Sequence, residues 1–357
     1  MDCIDIYKQP AFNHPALRNH IIQIAPSSVM TMKPEAAITK EKCSMIHTHQ
    51  LWRKNGSCPI GTIPVRRNCQ TDVLDCNLAA KYGRKNRPSI QYELKTSNYL
   101  QANHAFAIMM TEGFNYHGAK ADIKVWNPYV EHDDEYSTSR IILENGAYNN
   151  YECVESGWMV NPSVYGDRET RIYAYWTVDG SSTTGCFDLM CPGFVQTSNE
   201  IALGGVIKSI PVPGGLPWIM TLHIVRDPIS KNWWLRYQGN ISIGYWPAEL
   251  FKALRSTVEV IQWGGEIYST RLGHPGHTKT EMGSGDLPLV IQPNSTGWFK
   301  RMRIQENSMD LKQPESAYTY SDDHRCYPIY LRKDQYAEPE FYYGGPGKDW
   351  HSLLCAY

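Results

Sequence analysis

No run of about 18 consecutive apolar residues occurs in this 357-residue chain, so nothing in it reads as a membrane-spanning helix. Long segments with a 3.6-residue apolar period are nearly absent as well, which argues against a helical bundle. The 12 His are scattered. Only "HPGH" (His274, His277) brings two together in the C-terminal part, without HExxH or nearby acidic ligands, and no metal site or cofactor is expected. "GSG" around Ser284 lacks the GxSxG elbow of serine hydrolases. The ten Cys do not form two paired CxxC knuckles. The first residues, "MDCIDIYKQPAF", lack the basic start and apolar core of a signal peptide.

Charged residues are few, at 20%, and Phe is scarce, at 8 against 11 Trp and 23 Tyr. Such an aromatic profile favours extracellular all-β proteins with sugar or peptide clefts. Cysteines in Gly/Pro-rich contexts point to an oxidising, secreted setting, and the sequons at Asn55, Asn240 and Asn294 fit it. The formal charge of −1 hides an asymmetry: 14 Lys+Arg stand against 7 Asp+Glu in residues 1–96, and 21 against 29 in the remainder. Two complementary parts suit an intramolecular pair better than nucleic-acid binding.

Residues 1–96 are irregular, with scattered Pro and Cys, and end near a basic cluster, Arg84, Lys85 and Arg87 before Pro88. The cluster reads as a linker with a protease-accessible edge and is too short for a nuclear-localisation run. From about Ser97 short alternating runs take over. "ADIKVWNP" sets Ala121, Ile123 and Val125 against Asp122 and Lys124, and "TRIYAYWTVDG" sets Ile172, Ala174 and Trp176 against Tyr173, Tyr175 and Thr177. This texture predicts an antiparallel β-sandwich or jelly roll over residues 97–357. "PAELFKALRS", from Pro247, is the one helical candidate. Aromatics on both faces of one strand read either as burial on both sides or as one face lining a cleft.

Two glutamates share an unusual context: Glu155 in "VESGWMV" and Glu266 in "WGGEIY", each beside Gly and Trp on a predicted strand. If they face one cleft, both cannot ionise easily, so one serves as acid and the other as base. Cys186 and Cys191, in "TGCFDLMCPGF", are placed for a local disulfide across a turn.

Further segments carry a specific resemblance. "DCIDIYKQPAFNHP", "NGSCPIGTIPVRR", "GDRETRIYAYWTVDG", "TGCFDLMCPGFVQTSNEIALG", "DPISKNWWLRY", "IGYWPAELF", "WGGEIY", "TEMGSG" and "FYYGGPG" run in order from residue 2 to about 347 and resemble the plant neprosin family. The resemblance implies a secreted glutamic peptidase made as a zymogen. Residues 1–96 would be an activation domain and residues 97–357 a catalytic sandwich of two antiparallel sheets. It carries the catalytic pair onto Glu155 and Glu266, and disulfides onto Cys3 with Cys58, Cys186 with Cys191 and Cys326 with Cys355; Cys43, Cys69, Cys76 and Cys153 stay unassigned. Cleavage after proline, carried over from the family, would need an apolar aromatic pocket, for which Trp158, Tyr175, Trp176 and Trp263 are the candidates. Two departures stand out: Gln262 replaces an acidic residue before Trp263, removing a charge near Glu266, and Cys153 lies two residues from Glu155, where a buried thiol is expected.

The expected partners are proline-containing peptides or proteins and the chain's own activation domain, with no nucleic acid or membrane, in a monomer. Intact, the chain should be latent near neutral pH, held partly by carboxylates that acid neutralises, and should lose roughly its first 90 to 100 residues on acidification. Rival readings are a non-catalytic wall-binding or inhibitory protein and a glycoside hydrolase using the same carboxylates.

Overall fold

The computed structural model of the chain describes residues 1–27, 46–47, 49–50, 52, 56–67, 85, 103–147, 150–208, 217–273, 275–288, 295–307, 310–333, 337–348 and 355. Asn55, Asn294, Cys43, Cys69, Cys76, Arg84, Arg87, Pro88 and His274 lie outside these residues. Four short strands come first: β1 (Asp2–Asp5), β2 (Ile46–His47), β3 (His49–Gln50) and β4 (Thr62–Val65). There follow β5 (His104–Tyr116), β6 (Gly118–Lys124), β7 (Tyr136–Asn145), β8 (Glu152–Val160), β9 (Arg171–Thr177), β10 (Cys186–Phe187), β11 (Val195–Gln196) and β12 (Ile207–Lys208). The last are β13 (Trp218–Arg226), β14 (Trp233–Tyr237), β15 (Ile241–Trp246), β16 (Val258–Tyr268), β17 (Gly297–Gln305), β18 (Tyr318–Ser321), β19 (Ile329–Arg332) and β20 (Glu340–Tyr343).

Two antiparallel sheets carry the architecture. One has the order β10-β9-β8-β7-β16-β5-β18, the other β11-β15-β14-β13-β6-β17-β20-β19, with β2 paired parallel to β13. Because strand side chains alternate with period 2, each strand of the first sheet sends one set into the core between the sheets and the other to the outer face. Ile141, Leu143, Val154, Trp158, Ile172, Ala174, Trp176, Ile261 and Trp263 meet Ala121, Ile123, Leu222, Trp233 and Phe299 of the second sheet in that core. The expected sandwich is therefore present. Among the described residues no helix is long and apolar enough to cross a membrane.

The helix expected from Pro247 is not formed. Only the 3-10 turn Ala248–Leu250 appears, and Phe251 returns to extended backbone at φ −112° and ψ 154°. Tertiary bonds take the polar groups a helix would use: Lys252 and Leu254 N–H donate to the Glu152 carboxylate at 2.8 Å each, and the Leu254 carbonyl accepts from the Trp233 indole at 2.9 Å. Local propensity loses to these fixed partners.

Disulfides join Cys3 to Cys58, Cys186 to Cys191 and Cys326 to Cys355. Cys153 is buried with Ile142, Tyr173, Tyr175 and Phe187. Among the described residues, two contacts of the N-terminal part use neutral side chains. Gln9 donates to the Gln196 carbonyl at 3.1 Å and accepts the Gln196 N–H at 2.8 Å; Gln50 does the same with Ala202 at 2.6 and 2.8 Å. Each side chain thus imitates a strand partner and satisfies backbone that burial would otherwise leave unpaired. Among the described residues, ion pairs join residues 1–85 to the rest of the chain at two places only: His20 with Glu249, and Lys85 with Glu155 and Glu266.

Candidate active site

Register explains how Glu155 and Glu266 meet. On the outer face of the first sheet β7 contributes Arg140, which sits directly opposite Gly157 of β8 and directly opposite Gly264 of β16. Glu155 lies one same-face position from Gly157, level with Ile142; Glu266 lies one same-face position from Gly264 in the other direction, level with Thr138. The two carboxylates therefore approach Arg140 along opposite diagonals, within reach of long side chains. The two flanking glycines leave the floor beside Arg140 without side chains. A Cβ on Gly157 would lie 1.9 Å from the Ser139 carbonyl oxygen, and Gly264, at φ +157°, would place one 2.2 Å from that of Ala107. This is what the first Gly of "WGGEIY" does together with Gly157: they let neighbouring backbones pack at a spacing no larger residue permits.

Arg140, Glu155 and Glu266 are fully buried. Arg140 Nε donates to Glu266 Oε2 at 2.8 Å and lies 3.4 Å from Glu155 Oε1. Glu266 Oε1 accepts from the Tyr136 hydroxyl at 2.5 Å, and His104 Nδ1 is 3.1 Å from the same oxygen. Glu155 Oε1 accepts from the Tyr173 hydroxyl, which in turn accepts from Thr138 at 2.9 Å. Burial, reinforced by the Glu155 charge, pushes the Tyr173 phenol well above its usual range, so it remains a donor.

Lys85 closes the arrangement. Its Nζ is 2.5 Å from Glu155 Oε1 and 3.3 Å from Glu266 Oε2, and its backbone N–H donates to the Tyr175 hydroxyl at 3.1 Å. The residue is 2% exposed, so this position is not the accessible edge the basic cluster suggested: the ammonium has been drawn onto two buried carboxylates. Lys85 and Arg140 now face two carboxylates. A buried pair in this arrangement survives only if its charges are mutually satisfied.

The aromatic candidates divide by parity. Tyr175 is on the outer face, opposite Glu155. Trp158, Trp176 and Trp263 are not: each is an odd number of positions from its neighbouring outer-face residue and is packed into the core between the sheets, with the Trp158 indole donating to the Lys124 carbonyl at 2.9 Å. They line no cleft. Tyr173, Tyr136 and Phe187 are buried on the outer-face side together with Tyr175. Gln262 is on the outer face, level with Glu155 across Ile142 and separated from Glu266 by Gly264. A charge at this position would bear on both glutamates, and the buried Gln262 amide has no hydrogen-bond partner among the described residues. Asn240 lies in the turn between β14 and β15 and is exposed. Buried His277 is 3.3 Å from Asp323 beside the Cys326–Cys355 disulfide, whose sulfurs are already bonded to each other.

Sequence reasoning missed Arg140 and Lys85 as site residues. The only local signal for Arg140 was a basic residue in the middle of the strand "YSTSRIILEN". Lys85, 70 residues from Glu155 and 181 from Glu266, gave none.

Compared with known proteins, residues 133–346 match the family described as Neprosin, and residues 1–110 match the Neprosin activation peptide. Among solved structures, scytalido-glutamic peptidase with a peptide-based transition-state analogue aligns at 8% identity and a TM-score of 0.34, covering 69% of this chain and 98% of that one. SCP-B of the eqolisin peptidases, bound to the tripeptide Ala-Ile-His, aligns at 8% identity and a TM-score of 0.33 over 68% and 97%. A β-porphyranase of the gut bacterium Bacteroides plebeius aligns at 9% identity and 0.23 over 46% and 56%.

Proposed function

Because this chain belongs to the neprosin family and carries its activation peptide, we propose that it is a glutamic endopeptidase held latent by its own N-terminal segment. The observation that supports this reading most directly is the convergence of Glu155 and Glu266 on one buried arginine, with a lysine of the N-terminal part seated on both. In this state no carboxyl holds a proton for use as an acid, and Lys85 stands where a substrate carbonyl and a water would have to be.

Removal of Lys85 leaves one arginine facing two carboxylates, and like-charge repulsion then favours one retained proton. Glu266, with Arg140, Tyr136 and His104 around it, is the better-stabilised anion and acts as the base that takes a proton from water. Glu155 is the acid: it donates to the scissile carbonyl oxygen as charge develops and then protonates the leaving nitrogen. Arg140 keeps the anion oriented throughout. Since one carboxyl must stay protonated, activity belongs at acidic pH. The outer-face aromatics Tyr136, Tyr173, Tyr175 and Phe187 provide an apolar, flat-walled setting suited to a proline ring. Three disulfides fit an extracellular setting.

The test compares acid-treated wild type, Glu155→Gln and Glu266→Gln at about pH 4 on a proline-containing peptide, with losses of about 100-fold or more expected in each variant. Full activity in either variant, or cleavage of polysaccharide and not peptide, would refute the pair as a peptidase dyad.

A further inference from the structure

The surroundings of Lys85 are more specific than a charge lock requires. Its Nζ lies 5.6 Å from the ring centroids of Tyr136, Tyr173 and Tyr175 and 5.9 Å from that of Phe187. Four ring faces around one ammonium, with a carboxylate oxygen at 2.5 Å and another at 3.3 Å, make a cage for a cation. Ring quadrupoles stabilise a desolvated ammonium over its shell, while the two carboxylates demand N–H donors. The combination selects a primary ammonium on an unbranched alkyl stem. A quaternary ammonium has rings to contact but no N–H for the carboxylates, and an uncharged alcohol forgoes both attractions.

The walls of this cage belong to the sandwich. Tyr136, Glu155, Tyr173, Tyr175 and Glu266 are on paired strands β7, β8, β9 and β16, and Phe187 is on β10, anchored by the Cys186–Cys191 disulfide. Lys85 supplies only the occupant. Strand pairing fixes the backbone that carries the walls, and a preformed site gives up little free energy to ordering when a ligand enters.

We infer that the outer face of the sandwich carries a binding site for primary alkylammonium ions, which Lys85 fills in the latent chain and which accepts an external amine when that side chain is gone. The site rests on the geometry around Lys85 and not on the peptidase reading. A dead dyad and an empty cage are separate failures.

The experiment replaces Lys85 in the full chain and offers back the missing atoms. In Lys85→Ala the lost piece is matched by n-propylammonium, so that ion should raise the thermal midpoint saturably, by about 5 °C at a 100-fold excess over its dissociation constant. Wild type should not respond, and neither should Lys85→Met, whose side chain fills the space without charge. n-Propanol and tetramethylammonium should leave Lys85→Ala unmoved. An equal shift in wild type, or an equal shift with propanol, would overturn the inference. If Lys85→Ala does not fold unaided, recovery of soluble chain is read instead: rescue by propylammonium and not by propanol supports the site, and no rescue by either overturns it.

Discussion

Lys85 Nζ and Glu155 Oε1 are 2.5 Å apart in the interior of the molecule, although 70 residues separate them in the chain. The side chains of this pair are 1% and 0% exposed, so the attraction acts with little screening by water or salt. It is also conditional: the ammonium keeps a buried partner only while Glu155 or the neighbouring Glu266 carries its charge. On the proposed function the contact acts as a latch that acid opens, whereas the Gln9–Gln196 and Gln50–Ala202 contacts have no charge to lose.

The first prediction concerns that latch. In wild type, loss of the N-terminal segment should speed up steeply as pH falls, because the Lys85 contact is present with the glutamates ionised and disappears as they take protons. In Lys85→Met the same conversion should be nearly independent of pH and already fast near neutrality. Following the full-length mass with time at several pH values decides it; a wild-type profile in the Met variant would assign the acid response elsewhere.

Arg140 should matter to stability before it matters to catalysis. Arg140→Met leaves two buried carboxylates facing Lys85 alone and should cost about 3 kcal/mol or more in denaturant unfolding. Adding Glu266→Gln to that variant should recover a good part of the loss, since the uncompensated charge is then gone. A strictly additive double variant would contradict the coupling through Arg140.

Backbone spacing at the site sets a third expectation. Gly157→Ala and Gly264→Ala drive a Cβ to 1.9 and 2.2 Å from carbonyl oxygens of neighbouring strands. Each should lose more than about 3 kcal/mol or fail to accumulate as soluble protein. Gly239→Ala, at φ +80° in the turn after β14 with nothing within 4 Å, should cost only about 1 kcal/mol. Equal losses at all three would show that conformational freedom, not close approach, is what these glycines provide.

Acid has a cost in the second sheet. His223 of β13 is buried and its imidazole is held down to about 3, mainly by burial, with Arg236 and Lys120 adding repulsion while the hydrogen bond with Gln305 opposes them. Its pKa is depressed from 6.5 on folding, so the stability tied to the neutral ring is complete above 6.5 and drains away as pH falls towards 3. The drain is at most about 1.4 kcal/mol per pH unit. His223→Gln should flatten this part of the stability curve, and thermal midpoints of both proteins between about pH 7 and pH 4 would show the gap closing or reversing. Parallel curves would remove His223 from the acid response.

Much of the fold was legible because strand alternation is local. Ile172, Ala174 and Trp176 against Tyr173, Tyr175 and Thr177 is a pattern within seven residues, and it names two faces correctly. It does not say which face meets the other sheet, so Trp158, Trp176 and Trp263 were placed at a cleft when they form the core. The helix expected at "PAELFKALRS" failed for a related reason, since the Glu152 carboxylate that captures its amides lies about a hundred residues upstream.

The sequence by itself determined an all-β chain, a cysteine-bearing N-terminal part of opposite charge, and two glutamates in matching Gly/Trp surroundings. Only the tertiary structure decided what those glutamates face. Pairing of β7 with both β8 and β16 puts Arg140 between them, and docking of the N-terminal part puts Lys85 on top. Neither follows from spacing along the chain, because strand register and long-range docking are set by how faces bury against one another, and a slip of one residue would turn each of these side chains to the opposite side.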